Sequence, residues 1–308
     1  MGDGKQASVF ADRYRIRGGK PVRLKDFPTD EDDKPVTKKE GEDLLSADVS
    51  KLTDLQDKLY VHNRYALLIV IQGMDASGKD SVVKHVMSGL NPQGVTVTPF
   101  KTPTHQELEH DFLWRHYLAL PARGMVGIFN RSHYENVLVT RVHPEYILNE
   151  NLPGIVSVDQ IRDSFWEKRF RQINDFEKTL TENGTLILKF FLHVSKKEQK
   201  KRFLERIEDP SKNWKFSSGD IKERDLWKDY RKAYEDLLEK TSSDDAPWFA
   251  VPADDKWYTR IVIANIVVRE LEKLDLNYPV LSGQQEKDLA ASKKILTGEM
   301  DSPAEEKQ

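Results

Sequence analysis

The sequence contains no cysteine, so disulfides, thiolate catalysis and cysteine-ligated metal sites are excluded together. Long apolar runs are also missing, since no stretch approaches the roughly 20 residues that a membrane-spanning helix needs. The first residues, Met1 to Gln6, lack the apolar region of a signal peptide, and Gln6 breaks the pattern for N-myristoylation. Basic charge is in slight deficit, with 48 Lys and Arg against 51 Asp and Glu, a net −3. There is thus no bulk basic surplus to track a nucleic-acid backbone. No internal repeat is visible. These absences point to a cytoplasmic protein with no membrane and no nucleic-acid partner. Its 308 residues, 38% hydrophobic and 32% charged, suffice for a core under a well-solvated surface.

What is present is organised around residues 66–80. The apolar run from Ala66 to Ile71 is rich in β-branched residues and ends at a glycine, which predicts a strand buried on both faces. Gly73-Met74-Asp75-Ala76-Ser77-Gly78-Lys79 then has the spacing G-x-x-x-x-G-K of a phosphate-cradling loop between strand and helix. In such a loop the backbone N–H groups curl toward one anion, often through the positive φ that glycine tolerates. Lys79 adds a point charge, and the following helix adds the positive end of its dipole. The next residue is Asp80, where Ser or Thr usually offers a hydroxyl to Mg²⁺. Any metal must then be held by a carboxylate, and Asp75 lies nearest the phosphates. The competing reading of Asp75 is a brace for the turn.

Around this centre the chain reads in order. Residues 1–36 are polar, carry Pro21, Pro28 and Pro35, and predict an extended N-terminal arm lying on the domain or on a neighbouring subunit. Thr37 to Glu40 fits a capping box, and Leu45, Val49, Leu52, Leu55 and Leu59 follow at near-helical spacing. A second strand is expected at Val95–Pro99, and a helix from the Thr104 capping box through Leu120. Met125–Phe129 reads as a third strand, with Asn130, Arg131, Ser132, His133, Tyr134 and Glu135 at its carboxyl end, where a parallel sheet collects its site residues. Arg131 suits a clamp on phosphoryl oxygens, against a structural ion pair as the alternative. Glu135 suits a metal, an acceptor phosphate or Arg131 itself, and His133 reads as packed rather than chemical. A helix is expected from Ser157 to about Glu182, with Lys168, Arg169 and Arg171 facing either the anion site or solvent. Strands follow at Thr185–Leu192 and Trp248–Val251, and a closing helix runs from Trp257 to about Leu274.

Between the last two strands, Lys196 to Lys215 holds eight Lys and Arg against four Asp and Glu, a local +4 in an acidic chain. This suits a lid over phosphates, about residues 196–225, that expels water on closing; a solvated basic helix is the alternative. Residues 278–308 lose periodicity and predict a C-terminal arm, partly disordered. Strands alternating with capped helices give an α/β doubly wound parallel sheet of about five strands, helices on both faces, in one domain over residues 37–277.

Three stretches carry a family resemblance: Gly73 to Asp80, Phe129 to Glu135 with Val137-Leu-Val139 and Arg141-Val-His143, and Asp209-Pro-x-Lys-x-Trp-Lys215. Together they resemble the family-2 polyphosphate kinases over most of residues 23–275. The resemblance implies a P-loop kinase-like fold and phosphotransfer between inorganic polyphosphate and nucleotides, adenine and, as a further base, guanine. Tyr134-Glu135 is similar to class III, whose members phosphorylate AMP and ADP; Asn136 stands where that class has Asp. Carried over by position, Asp75 and Lys79 belong to the first phosphate-binding motif, with Asp75 implied in Mg²⁺ binding and Mn²⁺ as a substitute ion. Gly73, Met74, Ala76, Ser77, Gly78 and Asp80 complete that motif. Asn130, Arg131 and Glu135 belong to the second, and Arg202, Arg206, Lys212 and Lys215 to the lid. The family also implies a homodimer or homotetramer. Two other readings of the same residues are an ATP-dependent nucleoside monophosphate kinase of the thymidylate-kinase kind and a non-catalytic polyphosphate-binding protein.

Overall fold

The apolar run after residue 65 becomes the middle of a six-stranded sheet in the computed structural model, which describes residues 10–300. The strands are β1 (Arg15–Ile16), β2 (Ala66–Gly73), β3 (Val95–Pro99), β4 (Val126–Asn130), β5 (Thr185–His193) and β6 (Trp248–Pro252), in the order β1-β6-β5-β2-β4-β3. Every residue of β2 is buried, as a strand covered on both faces requires. Burying each Leu, Ile or Val there contributes roughly 1.5–3 kcal/mol relative to exposure. β2 pairs in parallel with β4, from Leu67 opposite Val126 to Ile71 opposite Asn130, and with β5, from Ala66 opposite Thr185 to Gly73 opposite Leu192. The chain leaves β2 toward β4 and β3, then crosses to β5 and β6 on the other side. The crevice at the carboxyl ends of β2 and β4 is therefore a topological switch point, where open α/β sheets bind ligands.

The sheet has one strand more than the sequence suggests, and it is mixed. β1 comes from the N-terminal arm and pairs antiparallel with β6, Arg15 opposite Phe249. The described part of the arm lies on the domain through buried Phe10, Tyr14, Ile16, Val22 and Leu24, and Thr29 O accepts from the Ala253 and Asp254 amides. A two-residue strand has no readable period. The remainder of the expected arm, residues 1–9, lies outside the described residues.

The long helices are α1 (Lys38–His62), α2 (Lys79–Val86), α3 (Asp163–Glu182), α4 (Lys196–Glu208), α5 (Ser218–Asp225), α6 (Trp227–Thr241), α7 (Lys256–Glu272) and α8 (Gly283–Met300). α1 starts at the expected capping box, Thr37 N donating to Glu40 Oε2 at 2.8 Å. α7 packs on α1 and α2, while α3 packs on β5 and α6. The helix expected over residues 105–120 is instead two single turns, His105–Leu108 and Trp114–Tyr117. Asp111 Oδ1 accepts from Leu113 N at 2.9 Å, a local bond that competes with helix continuation. Likewise the Ser157 box closes only a 3₁₀ turn, Val158–Gln160, before α3 begins.

Residues after Leu276 form a separate unit. Its described part contains α8, a helix within the stretch where the sequence shows no periodicity. Residues 283–300 contain no proline and many good helix formers, and Ser282 and Gln285 exchange side-chain-to-backbone bonds at its start. The fraying expected at the chain end falls on residues 301–308, outside the described residues.

Candidate active site

β2 delivers the loop at its carboxyl end. Gly73 has φ 159°, and a Cβ there would sit 2.7 Å from Ser77 Oγ and 2.9 Å from Leu192 O, so no larger residue fits. Gly78 has φ 110°, a conformation costly for a side chain, and it lets the chain turn into α2. Met74 and Ser77 are buried beneath the loop, and Ala76 also takes a positive φ of 60°. Lys79 opens α2 and folds back, its Nζ donating to Gly73 O at 2.7 Å and Met74 O at 3.2 Å. Burial, aided by the charge of Arg131, lowers its ammonium pKa to about 8.

β4 ends beside this loop. Asn130 Nδ2 donates to Asp80 Oδ1 at 2.7 Å, so the residue replacing the usual hydroxyl ties the two motifs together. Arg131 follows at φ 62°, a strained left-handed conformation of the kind that persists where the surroundings enforce it. Its Nη2 donates to Asp75 Oδ1 at 2.9 Å and its Nη1 to Glu135 Oε2 at 3.3 Å. Burial opposes the Arg131 charge, but the carboxylates of Glu135 and Asp75 outweigh it and hold its pKa above the ordinary value. Glu135 sits on the 3₁₀ turn His133–Val137. His133 is fully buried.

The basic segment divides in two. Arg202 is 4% exposed and lies under the loop rather than over it. Nε bonds Glu198 Oε1, Nη1 bonds Ala76 O and Ser77 O, and Nη2 bonds Ala253 O and Asp254 O. All five guanidinium donors are thereby engaged by the protein, so Arg202 braces the loop carbonyls and has no donor to spare for a phosphate. Arg206, one turn on, faces the cleft beside Asp220, with Nη1 3.4 Å from Asp220 Oδ2. Lys212, Trp214 and Lys215 are exposed on the connection between α4 and α5 and line the same cleft as Asp75, Lys79 and Arg131.

Several neighbours escape the sequence reading. Gln199 Nε2 bonds Asp75 O at 3.0 Å, and Arg224 Nη1 bonds Gln199 Oε1 at 2.7 Å, linking α5 through α4 to the loop. Asp220 faces the cleft with its carboxyl pKa raised by burial and then by Asp75. Lys101 also lines the cleft; its place just past β3 was a usable signal, by the same rule that singles out Arg131. Arg169 goes the other way. It is buried, bonded to Glu150 and stacked over Phe112, while Lys168 and Arg171 point to solvent. Beyond Arg131 a second cleft opens, lined by Phe100, Phe112, Arg115, Glu135 and Tyr146. Arg131 lines both.

The family model described as polyphosphate kinase 2 (PPK2) matches residues 35–279. The chain belongs to the polyphosphate kinase 2 family. It is 48% identical over 277 residues to the ADP-polyphosphate phosphotransferase of Rhodopseudomonas palustris, a match covering 90% of this chain and 95% of that one. Against the AMP/ADP-polyphosphate phosphotransferase of Meiothermus ruber, identity is 41% over 268 residues, covering 87% and 95%. The crystal structure of polyphosphate kinase 2 from Arthrobacter aurescens TC1 superposes with a TM-score of 0.83 at 40% identity, covering 93% of this chain and 98% of that one. The six-stranded sheet with its flanking helices is thus the α/β, P-loop kinase-like fold of this family. Among the described residues no helix is long and apolar enough to cross a membrane.

Proposed function

We propose that the protein transfers a phosphoryl group between inorganic polyphosphate and adenine nucleotides, converting AMP to ADP and ADP to ATP. The observation that carries this reading is Arg131, which stands where a basic, loop-lined cleft meets an aromatic-lined one. The first suits a linear polyanion, and the second a nucleoside whose phosphates reach back toward Arg131. A terminal phosphate oxygen of the nucleotide attacks the end phosphorus of polyphosphate. The new O–P bond forms as the bond to the remaining chain breaks, and that chain leaves with the electron pair, one phosphate shorter. No covalent enzyme intermediate is needed, because positioning and charge stabilisation supply nearly all the catalysis of such a step. The loop amides and Lys79 hold the donor phosphates, and Arg131 stabilises charge on the transferring group.

The finer reading, acceptance of both AMP and ADP as in class III, is supported by Tyr134-Glu135 and by the name of the Meiothermus ruber relative; the Rhodopseudomonas palustris relative is named for ADP alone. Mg²⁺, or Mn²⁺ in its place, fits the donor set. Among the described residues no group of three His, Asp or Glu is arranged around a common point, and Mg²⁺ shared with phosphates takes only one or two carboxylates. Asp75 would hold it, with Asp220 across the cleft. The Asp220 carboxyl is raised by burial first and then by the charge of Asp75, and the second of these is like-charge crowding that a divalent cation would relieve. When bound, the ion neutralises phosphate charge.

The test is to incubate the purified protein with Mg²⁺, long-chain polyphosphate and either AMP or ADP, without ATP, and to resolve the nucleotides. ADP and ATP from AMP support the whole reading. Product from ADP alone removes the broad acceptor range. Turnover of a monophosphate only when ATP is supplied overturns the polyphosphate reading in favour of a nucleoside monophosphate kinase.

A further inference from the structure

Behind the turn that carries Arg131 and Glu135 lie charges that phosphoryl transfer does not use. Lys189, in the middle of β5, has 0% exposure, and a lone ammonium there would be very unfavourable. Its three donors are all taken, by Glu177 Oε2 on α3, by Tyr134 OH at 2.9 Å and by Thr241 O at 2.7 Å. Glu177, itself 3% exposed, accepts from Tyr134 OH at 2.7 Å, and its Oε1 lies 3.2 Å from His133 Nε2. Burial would raise the Glu177 carboxyl, but Lys189 and His133 outweigh it and hold its pKa below the ordinary value. The carboxylate is therefore ionised, and His133 meets it as a donor through Nε2–H.

These contacts grip consecutive residues of one turn. Ser132 Oγ accepts from Gln72 Nε2 at 3.1 Å, His133 faces Glu177, and Tyr134 bridges Glu177 and Lys189. On either side of this gripped stretch stand Arg131, at φ 62°, and Glu135. Apolar residues of similar volume could fill the space without a buried ion pair, often at no loss of stability. The pair lies where the two half-buried, cleft-facing side chains of the turn need a fixed footing.

We propose that the Lys189–Glu177 pair is a positioning device. By holding His133 and Tyr134 from behind, it keeps Arg131 in its left-handed conformation and aims Arg131 and Glu135 at the reacting phosphates. This rests on the phosphotransfer reading above. Neither Lys189 nor Glu177 touches substrate, so both are positioning residues.

The experiment compares wild type with the double variant Lys189→Met/Glu177→Leu, which removes both charges at once and leaves neither uncompensated. ADP formation from polyphosphate and AMP is followed to separate kcat from KM, beside thermal unfolding. The expected result is a melting temperature near that of wild type, kcat lower by about 10–100-fold, as a small misplacement of catalytic groups can produce, and KM for polyphosphate within about threefold. Wild-type kcat in the folded double variant overturns the proposal and leaves the pair a packing element. If the double variant does not fold, Tyr134→Phe removes one oxygen from the network. It should lower kcat by about 3–10-fold at unchanged KM, and unchanged kcat there overturns the proposal equally. A wild type inactive with polyphosphate and both AMP and ADP would overturn the polyphosphate reading instead, and one active with ADP alone moves the same comparison to ATP formation.

Discussion

Arg202 and Arg206 stand one helical turn apart on α4 and do opposite things. Arg202 is sealed beneath the phosphate loop, every donor engaged by Glu198 or by a backbone carbonyl. Arg206 reaches the cleft and shares it with Asp220. The same division runs through the whole site. The floor, made of the loop and the end of β4, is bonded to itself at Asp75, Asp80, Arg131 and Glu135. The segment above it is exposed, with Trp214 78% accessible and Lys212 paired with Asp209. A charge count over residues 196–215 treats all of these cations alike. Burial separates those that hold the loop from those that can meet a ligand, and segments that close over substrates are drawn from the less stable part of a fold.

If the floor carries the chemistry, its cations should be the most sensitive positions. Lys79→Ala or Arg131→Ala should lower kcat/KM by about 10²–10⁴, a few kcal/mol of transition-state stabilisation. The measurement is initial rate with polyphosphate and ADP. Full activity of folded Lys79→Ala would remove the loop from the mechanism and with it the distinction between floor and lid.

The next effect divides the two arginines. Arg202→Ala leaves Glu198 and four loop carbonyls without their partner and should destabilise the protein by about 3–5 kcal/mol, as breaking a buried pair does. Arg202→Lys should do little better, because one ammonium cannot reach five acceptors spread around a planar fork. Arg206→Ala should leave the melting temperature unchanged and raise KM for polyphosphate. Denaturation beside kinetics checks this. An Arg202→Lys protein of native stability with only a raised KM would make Arg202 a substrate cation after all.

Much of the floor is legible in the chain because it is local. The loop is spelled by Gly73, Gly78 and Lys79, the β2 and β5 strands by their apolar runs, and the start of α1 by Thr37-x-x-Glu40. What escapes reading depends on distance in sequence. Arg202 looks like its neighbours until the loop at Ala253–Asp254 is folded against it, and Arg169 reads as facing the anion site or solvent until Glu150 and Phe112 arrive. β1 exists because β6 has a free edge, not because two residues have a propensity. Some signals were present and simply weak, such as Ser282 and Gln285 before α8, or Asp111 interrupting the turns before β4.

A moderate effect follows from Lys79. Its pKa in the folded chain, about 8, lies below the ordinary lysine value of 10.5. Below pH 8 both states hold the proton, and burying the charge opposes folding there. Between about pH 8 and 10.5 the unfolded chain binds more protons, so this residue's contribution to stability improves as pH rises. Binding a polyanion reverses the balance, because phosphate oxygens favour the charged form. Polyphosphate binding near pH 8–9 should therefore take up protons, fewer than one per site, and weaken as pH rises further. Calorimetry in buffers of different ionisation enthalpy reads the uptake directly, and Lys79→Met should abolish it. Unchanged uptake in that variant would assign the proton elsewhere on the floor.

The smallest effects belong to the exposed segment. Lys212 already has Asp209 at 2.7 Å, and Lys215 lies 5.0 Å from the centre of the Trp214 ring. Each is a solvated cation whose pull on a polyanion passes through water, where such interactions contribute up to about 1 kcal/mol. Lys212→Ala and Lys215→Ala should thus raise KM for long-chain polyphosphate by about 2–5-fold, leaving kcat and melting temperature as they are. The difference from wild type should shrink as salt is added, because screening acts on exposed charges first. The floor responds differently, since Lys79→Ala should stay impaired at any ionic strength. A lid variant that loses kcat as deeply as Lys79→Ala, with the loss insensitive to salt, would mean that Lys212 or Lys215 reaches the transferring phosphoryl group when the segment closes. The boundary would then fall between Arg202 and all the other cations of the site, rather than between floor and lid.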